Sequence, residues 1–153
     1  MKTNVVRFIF LFASVLLISL IFIFPKSYVG LERLCPENLE VYFSNNFEDE
    51  SIETKQNGIG TKAKCSFSNF LQIKKNYNYS GISFETKCTL DEILENLNAK
   101  TLSFQTLENK KIVYAYSPNF EKYVMVGNQK CNIEIVFENN KNLVGIPILL
   151  GSY

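Results

Sequence analysis

The sequence predicts an α+β fold: a mainly antiparallel sheet with two helices on one face, preceded by one N-terminal transmembrane helix. Three observations carry this. Residues 8–24 (FIFLFASVLLISLIFIF) form an unbroken apolar run. Thr89-x-x-Glu92 is a capping box, and Leu90, Ile93, Leu94 and Leu97 follow the i, i+3, i+4, i+7 spacing of one helix face. After residue 100 the period falls to two, most cleanly where Ile133, Ile135 and Phe137 alternate with Asn132 and Glu134.

The apolar run decides the compartment. A membrane-spanning helix needs about 20 apolar residues. Val5 and Val6 extend the run to that length, and Arg7 can snorkel toward the headgroups. A cleaved signal peptide is the alternative, giving a secreted domain. Its apolar region is usually about 7–15 residues and ends at an A-x-A-like site. Here the run is longer, and Pro25-Lys26-Ser27-Tyr28-Val29-Gly30 offers no such site. The prediction is a signal anchor over 1–25, a juxtamembrane spacer over 26–38 and a single extracytoplasmic domain over 39–153. Lys2 and Arg7 before the run balance Lys26 and Arg33 after it, so the N-terminal amine sets the orientation. That puts the N-terminus inside and the domain outside, on a single-pass protein of the cell membrane.

Composition then removes whole classes of function. Of 16 basic residues, Lys2 and Arg7 precede the domain, leaving 14 against 15 acidic ones. Arg33 is the only arginine after the run. A near-neutral domain so poor in arginine is not built for nucleic acid. The chain has no histidine, which excludes Ser-His-Asp and Cys-His catalysis and an HExxH zinc site. Cys35, Cys65, Cys88 and Cys131 lack the paired short spacings of a zinc site. Gly58-Ile59-Gly60 is a turn, lacking the rest of a phosphate loop, and no cofactor motif is present. Glu48-Asp49-Glu50 and Glu53 lack the order of a calcium loop and read as a solvated acidic loop over 45–57. Glu85, Asp91, Glu92 and Glu134 could serve acid–base chemistry, but nothing in the sequence selects a pair, so no catalytic residue is assigned. An envelope hydrolase would need two carboxylates about 5–10 Å apart across a cleft.

Along the chain, Leu39 to Ser44 reads as a first strand. Two stretches then share a pattern: Lys64-Cys65-Ser66 leads into Phe67, Phe70 and Leu71, and Lys87-Cys88-Thr89 into Leu90, Ile93 and Leu94. Each is a strand end, a hydroxyl N-cap and a helix face, with residues 81–85 as the strand between the helices. Strands would follow at 100–106, 111–116, 123–126, 131–137 and 143–150, with Gly127-Asn128 as a turn. Pro147 predicts that the last strand is an edge or carries a bulge. If the strands ending at Cys65 and Cys88 are parallel neighbours, those two cysteines come within disulfide reach, about 4.4–6.8 Å between Cα atoms.

The second half resembles a known family. Tyr116-Ser117-Pro118, then Val126-Gly127-Asn128-Gln129-Lys130-Cys131-Asn132-Ile133-Glu134, then Val144-Gly145-Ile146-Pro147 look like the Y-S-P, V-x-G-x-K-x-N-x-Q and V-G-T-P stretches of the YwmB family of Firmicutes. The resemblance covers residues 81–153, with Glu134 in place of Gln and Ile146 in place of Thr. It implies a TATA-box-binding-protein-like (TBP-like) fold in an exported or envelope-associated protein without an established activity. It carries over no catalytic residue and does not imply DNA binding.

The function expected from these features is non-enzymatic. A membrane-anchored extracytoplasmic domain would bind a protein or a cell-envelope component, with no metal and no cofactor. Tyr114, Tyr116, Phe120 and Tyr123 are the candidate binding surface, since aromatic residues are enriched at interfaces.

Overall fold

A computed structural model describes residues 29–35, 39–44, 47, 52–57, 60–107, 110–138 and 141–149. The Phe8–Phe24 run, Glu48-Asp49-Glu50 and Gly58-Ile59 lie outside the described residues. In chain order the elements are α1 (Val29–Leu34), β1 (Leu39–Phe43), β2 (Glu53–Asn57), β3 (Gly60–Cys65), α2 (Phe67–Asn76), β4 (Gly81–Thr86), α3 (Leu90–Asn96), β5 (Lys100–Leu107), β6 (Lys110–Tyr116), β7 (Val124–Val126), β8 (Gln129–Cys131), β9 (Ile133–Glu138) and β10 (Lys141–Ile146). Eight strands form one sheet in the order β2-β3-β1-β4-β10-β9-β6-β5, and β7 and β8 make a separate hairpin. Every pairing is antiparallel. The fold is therefore α+β with an antiparallel sheet.

Side-chain alternation divides the sheet into two faces. Leu39 stands opposite both Cys65 and Phe84, Phe84 opposite Val144, Val144 opposite Ile135, and Ile135 opposite Val113. This row is buried and belongs to one apolar cluster with Leu31 and Leu34 of α1, Phe67, Phe70 and Ile73 of α2, and Ile93 and Leu97 after it. Among the described residues, the three helices thus share one face. The other face is polar at β1 and β3, through Glu40, Tyr42, Lys62 and Lys64, and apolar at β6 and β9, through Ile112 and Val136. There the chain after β10 folds back on the sheet, and the Leu149 N–H donates to a Glu134 carboxylate oxygen at 2.9 Å.

The helix starts form as their sequences dictate. The Ser66 hydroxyl accepts the Asn69 N–H at 3.3 Å. At α3 the capping box closes both ways: the Glu92 N–H donates to Thr89 Oγ1 at 3.4 Å, and the Thr89 N–H to Glu92 Oε2 at 2.7 Å. The Thr89 N–H and hydroxyl, both donating to Glu92 Oε2, hold that carboxyl below the usual carboxylate range.

Four features differ from the sequence expectation. The spacer predicted over 26–38 contains α1, whose Leu31 and Leu34 are core residues, as is Cys35 just after it. α1 also packs on α3 so closely that a Cβ on Gly30 would collide with the Asn96 carbonyl oxygen. Within the predicted loop over 45–57, Glu53–Asn57 pairs with β3 as an edge strand, and its charged, polar sequence suits an edge. β10 is not an edge but lies between β4 and β9, and it ends at Ile146, before the proline that could not donate to a ladder. Finally, β3 and β4 run parallel but are not neighbours, because β1 sits between them. Their ends are therefore about 9.5 Å apart, two interstrand spacings. The neighbour condition for a Cys65–Cys88 bond is not met, and all four cysteines are thiols in the structure.

Candidate functional site

The last turn of α2 and the loop after β6 build a cleft of about 590 Å³. α2 ends in Lys74 and Lys75, and its C-cap residue Tyr77 donates its N–H to the Ile73 carbonyl at 2.9 Å. The chain then runs through Asn78 and Tyr79 into β4. Tyr79 packs edge-on against Phe70 of the core, ring centroids 5.3 Å apart, which fixes its ring in the wall. Tyr77 is exposed and packs edge-on against Phe47, centroids 4.8 Å apart. From the opposite wall Lys122 reaches across, its ammonium 4.4 Å from the Tyr79 ring centre and donating to Asn78 Oδ1 at 3.1 Å. Partial burial pushes the Lys122 ammonium below its ordinary value. The cleft thus carries Lys74, Lys75 and Lys122 against Glu121, with aromatic walls.

A buried polar network holds the second wall in place. Asn132 is fully buried. Its Oδ1 accepts the Ser117 N–H at 2.7 Å, and its Nδ2 donates to the carbonyls of Ser117 at 2.7 Å and Phe120 at 3.0 Å. The Ser117 hydroxyl donates to the Leu97 carbonyl at 2.6 Å and accepts the Asn119 N–H at 3.1 Å. Ser117 and Asn132 come from two of the stretches that carry the family resemblance. Their chemistry here is bracing: they fix the backbone that presents Phe120 and Lys122.

The four aromatic residues selected from the sequence do not form one surface. Phe120 lines this cleft but is largely a core residue. Tyr123 is exposed, with the Lys130 ammonium 4.4 Å from its ring centre. Tyr114 and Tyr116 share the helix-free face of β6 and are half-buried. The Tyr114 hydroxyl donates to Gln105 Oε1 at 3.3 Å, and burial, then Glu134 and Cys131, push its ionisation up. The sequence selection missed Lys74, Lys75, Tyr77, Tyr79 and Lys122. Their signal was the run Lys74-Lys75-Asn76-Tyr77-Asn78-Tyr79, basic residues followed by aromatics alternating with amides.

A second cleft, of about 740 Å³, lies by the polar face near the ends of β1 and β4. It holds two carboxylates, Glu40 and Glu85, among Lys64, Lys87 and Lys141, and each carboxylate has a lysine partner. Lys62 pairs with Glu40 at 2.8 Å, and Lys141 pairs with Glu85. Asp91 and Glu92 sit in the exposed first turn of α3. Among the described residues no group of three or more Cys, Asp and Glu side chains could hold a metal ion. Among them, too, no helix is long and apolar enough to cross a membrane.

Comparison with protein-family models, with curated proteins and with solved structures gave no match.

Proposed function

We propose that this chain is a membrane-anchored extracytoplasmic domain that binds an anionic component of the cell envelope, or the acidic surface of a protein partner, in the cleft between α2 and the loop after β6. The observation that carries this is the placement of Lys75 and Lys122 on opposite walls of one cleft, beside the rings of Tyr77 and Tyr79. In a domain whose overall charge nearly cancels, two ammonium groups facing each other across a cleft favour an anionic ligand. The Lys122 ammonium is already partly desolvated, so it gives up little hydration when an anion replaces solvent there. The anchor, the N-terminus-in orientation and the retention of the N-terminal segment belong to this proposal. The Phe8–Phe24 run and the missing cleavage site support them. So does the assignment of residues 81–153 to a YwmB-like, TBP-like fold, supported by the quoted stretches and by an antiparallel sheet with its helices on one face.

The test is binding of a polyanion, poly-glutamate or a polyol phosphate, to the full-length protein in detergent. The Lys75→Ala, Lys122→Ala double variant should bind at least about tenfold more weakly, and the affinity of the wild type should fall as salt rises. Equal binding by wild type and variant would remove the cleft from the account. One observation favours a second reading, a carboxylate-based envelope hydrolase: Glu40 and Glu85 line the same cleft. Both carry lysine partners, so this reading requires Glu85→Gln to abolish a hydrolytic activity on envelope polysaccharide.

A further inference from the structure

Two buried thiols lie in one apolar cluster toward one end of the sheet. Cys35 directly follows α1, and its N–H donates to the Leu31 carbonyl at 3.0 Å. Cys65 is the last residue of β3 and faces the helix layer in the same row as Leu39. Leu39 stands opposite Cys65 in the ladder, and only three residues separate it from Cys35. Leu34 and Lys64, the immediate neighbours of the two cysteines, line one cleft. Both thiols belong to the same apolar cluster, at 3% and 6% exposure. The other cysteines stand apart. Cys131 lies in the second half of the chain, donating its Sγ–H to the Ile133 carbonyl at 3.4 Å. Cys88 lies beyond the end of β4, with β1 between that strand and β3.

We propose that Cys35 and Cys65 form a disulfide that ties α1 to the first half of the sheet. The electrostatics agree with the proximity: burial, with Cys35 beside it, pushes the Cys65 thiol up to about 11. Such a thiol is a poor nucleophile once packed, so the exchange occurs before α1 docks or when α1 opens locally. The oxidant is a disulfide, of a thiol–disulfide oxidoreductase or a small molecule. One cysteine thiolate attacks that S–S bond, forms a mixed disulfide and releases one oxidant sulfur as a thiolate. The second cysteine thiolate then attacks the mixed disulfide and releases the other. Two protons leave the cysteines, and two electrons reduce the oxidant to a dithiol. The pairing rests on the fold alone. Its presence in the cell rests on the extracytoplasmic placement proposed above, where such bonds persist. The bond would fasten the element nearest the membrane segment to the sheet, so that the domain could not detach from α1.

The test uses the full chain in detergent. Reduced protein is incubated with oxidised glutathione, alkylated under denaturing conditions, digested and analysed by mass spectrometry. The expected result is a Cys35–Cys65 linked peptide about 2 Da lighter than its two thiol halves, with Cys88 and Cys131 alkylated. Oxidised wild type should melt roughly 10 °C above Cys35→Ala and Cys65→Ala alike, and that gap should close on reduction. A Cys65–Cys88 linkage, or four alkylated thiols after oxidation, would overturn the pairing. Protein taken directly from cells separates the two claims. A linked peptide there supports both. A bond made by glutathione but absent from cell-derived protein upholds the pairing and contradicts the exterior placement.

Discussion

Replacing Asn132 by alanine should be among the most damaging single changes in this domain. The substitution removes three hydrogen bonds at a site with no solvent access. The lost bonds ran to the Ser117 N–H, the Ser117 carbonyl and the Phe120 carbonyl. An orphaned buried group costs about 1–3 kcal/mol. A water in the vacated space can recover part of that, so the expected loss is about 3–5 kcal/mol. Against a typical total stability of about 5–15 kcal/mol this is a large fraction. Asn132→Asp sharpens the argument. The carboxylate keeps the acceptor for the Ser117 N–H but sets a charge against two carbonyls. Protonation supplies one donor, so this variant should regain stability as pH falls toward 4. The assay is urea unfolding followed by far-ultraviolet circular dichroism. A loss below about 1 kcal/mol for Asn132→Ala would show that the network does not brace the loop.

Other changes test separate joints of the fold. Gly30→Ala should part α1 from α3, since its Cβ would meet the Asn96 backbone; an overpacking cost of about 1–3 kcal/mol is expected in urea unfolding. Thr89→Ala removes the α3 cap and should cost about 1 kcal/mol, with Thr89→Ser restoring most of it. The reduced protein should also lose stability in alkali through Cys65. Its thiol ionises at about 11 when folded, against an ordinary 9.0, so the folded state holds its proton longer. The contribution is complete below pH 9.0, and about 2–3 kcal/mol is lost as pH rises to 11. Cys65→Ser, or oxidation to a disulfide, should flatten that part of the pH–stability curve relative to the reduced wild type.

Much of the architecture was legible in the sequence because its signals are local. The capping box at Thr89 and Glu92, the Ser66 cap and the Gly127-Asn128 turn each depend on a few adjacent residues. Strand alternation around Ile133 and Ile135 survives because β9 lies inside the sheet, with one face held by the helix layer. What stayed illegible depends on distant partners. Val29–Leu34 is too short to show a helical period; Leu31 and Leu34 count as core residues only once α3 lies beside them. β2 is polar because it is an edge, and polar edges read as loops. The position of β1 between β3 and β4 follows from pairings across 26 and 45 residues, such as Leu39 with Cys65 and with Phe84. That one insertion separates Cys65 from Cys88 and leaves Cys35 as the neighbouring thiol.

Of the aromatic residues chosen from the sequence, Tyr114 and Tyr116 occupy the helix-free face, while Phe120 and Lys122 face the end of α2. Two of the cleft's cations, Lys74 and Lys75, sit in the last turn of α2, where they also complement the helix dipole. Only the fold brings them near Lys122, 47 residues further on.

The claim on which the functional account turns is that this domain works outside the membrane. Asn128→Cys puts an exposed thiol in the turn between β7 and β8, while Cys35, Cys65 and Cys131 are buried. Intact cells are treated with a membrane-impermeant maleimide, alongside cells of the wild type as a measure of labelling at Cys88. The account predicts that the variant labels above the wild type before lysis, and to the same extent after it. Labelling that appears only after lysis would place the domain in the cytoplasm and contradict the account.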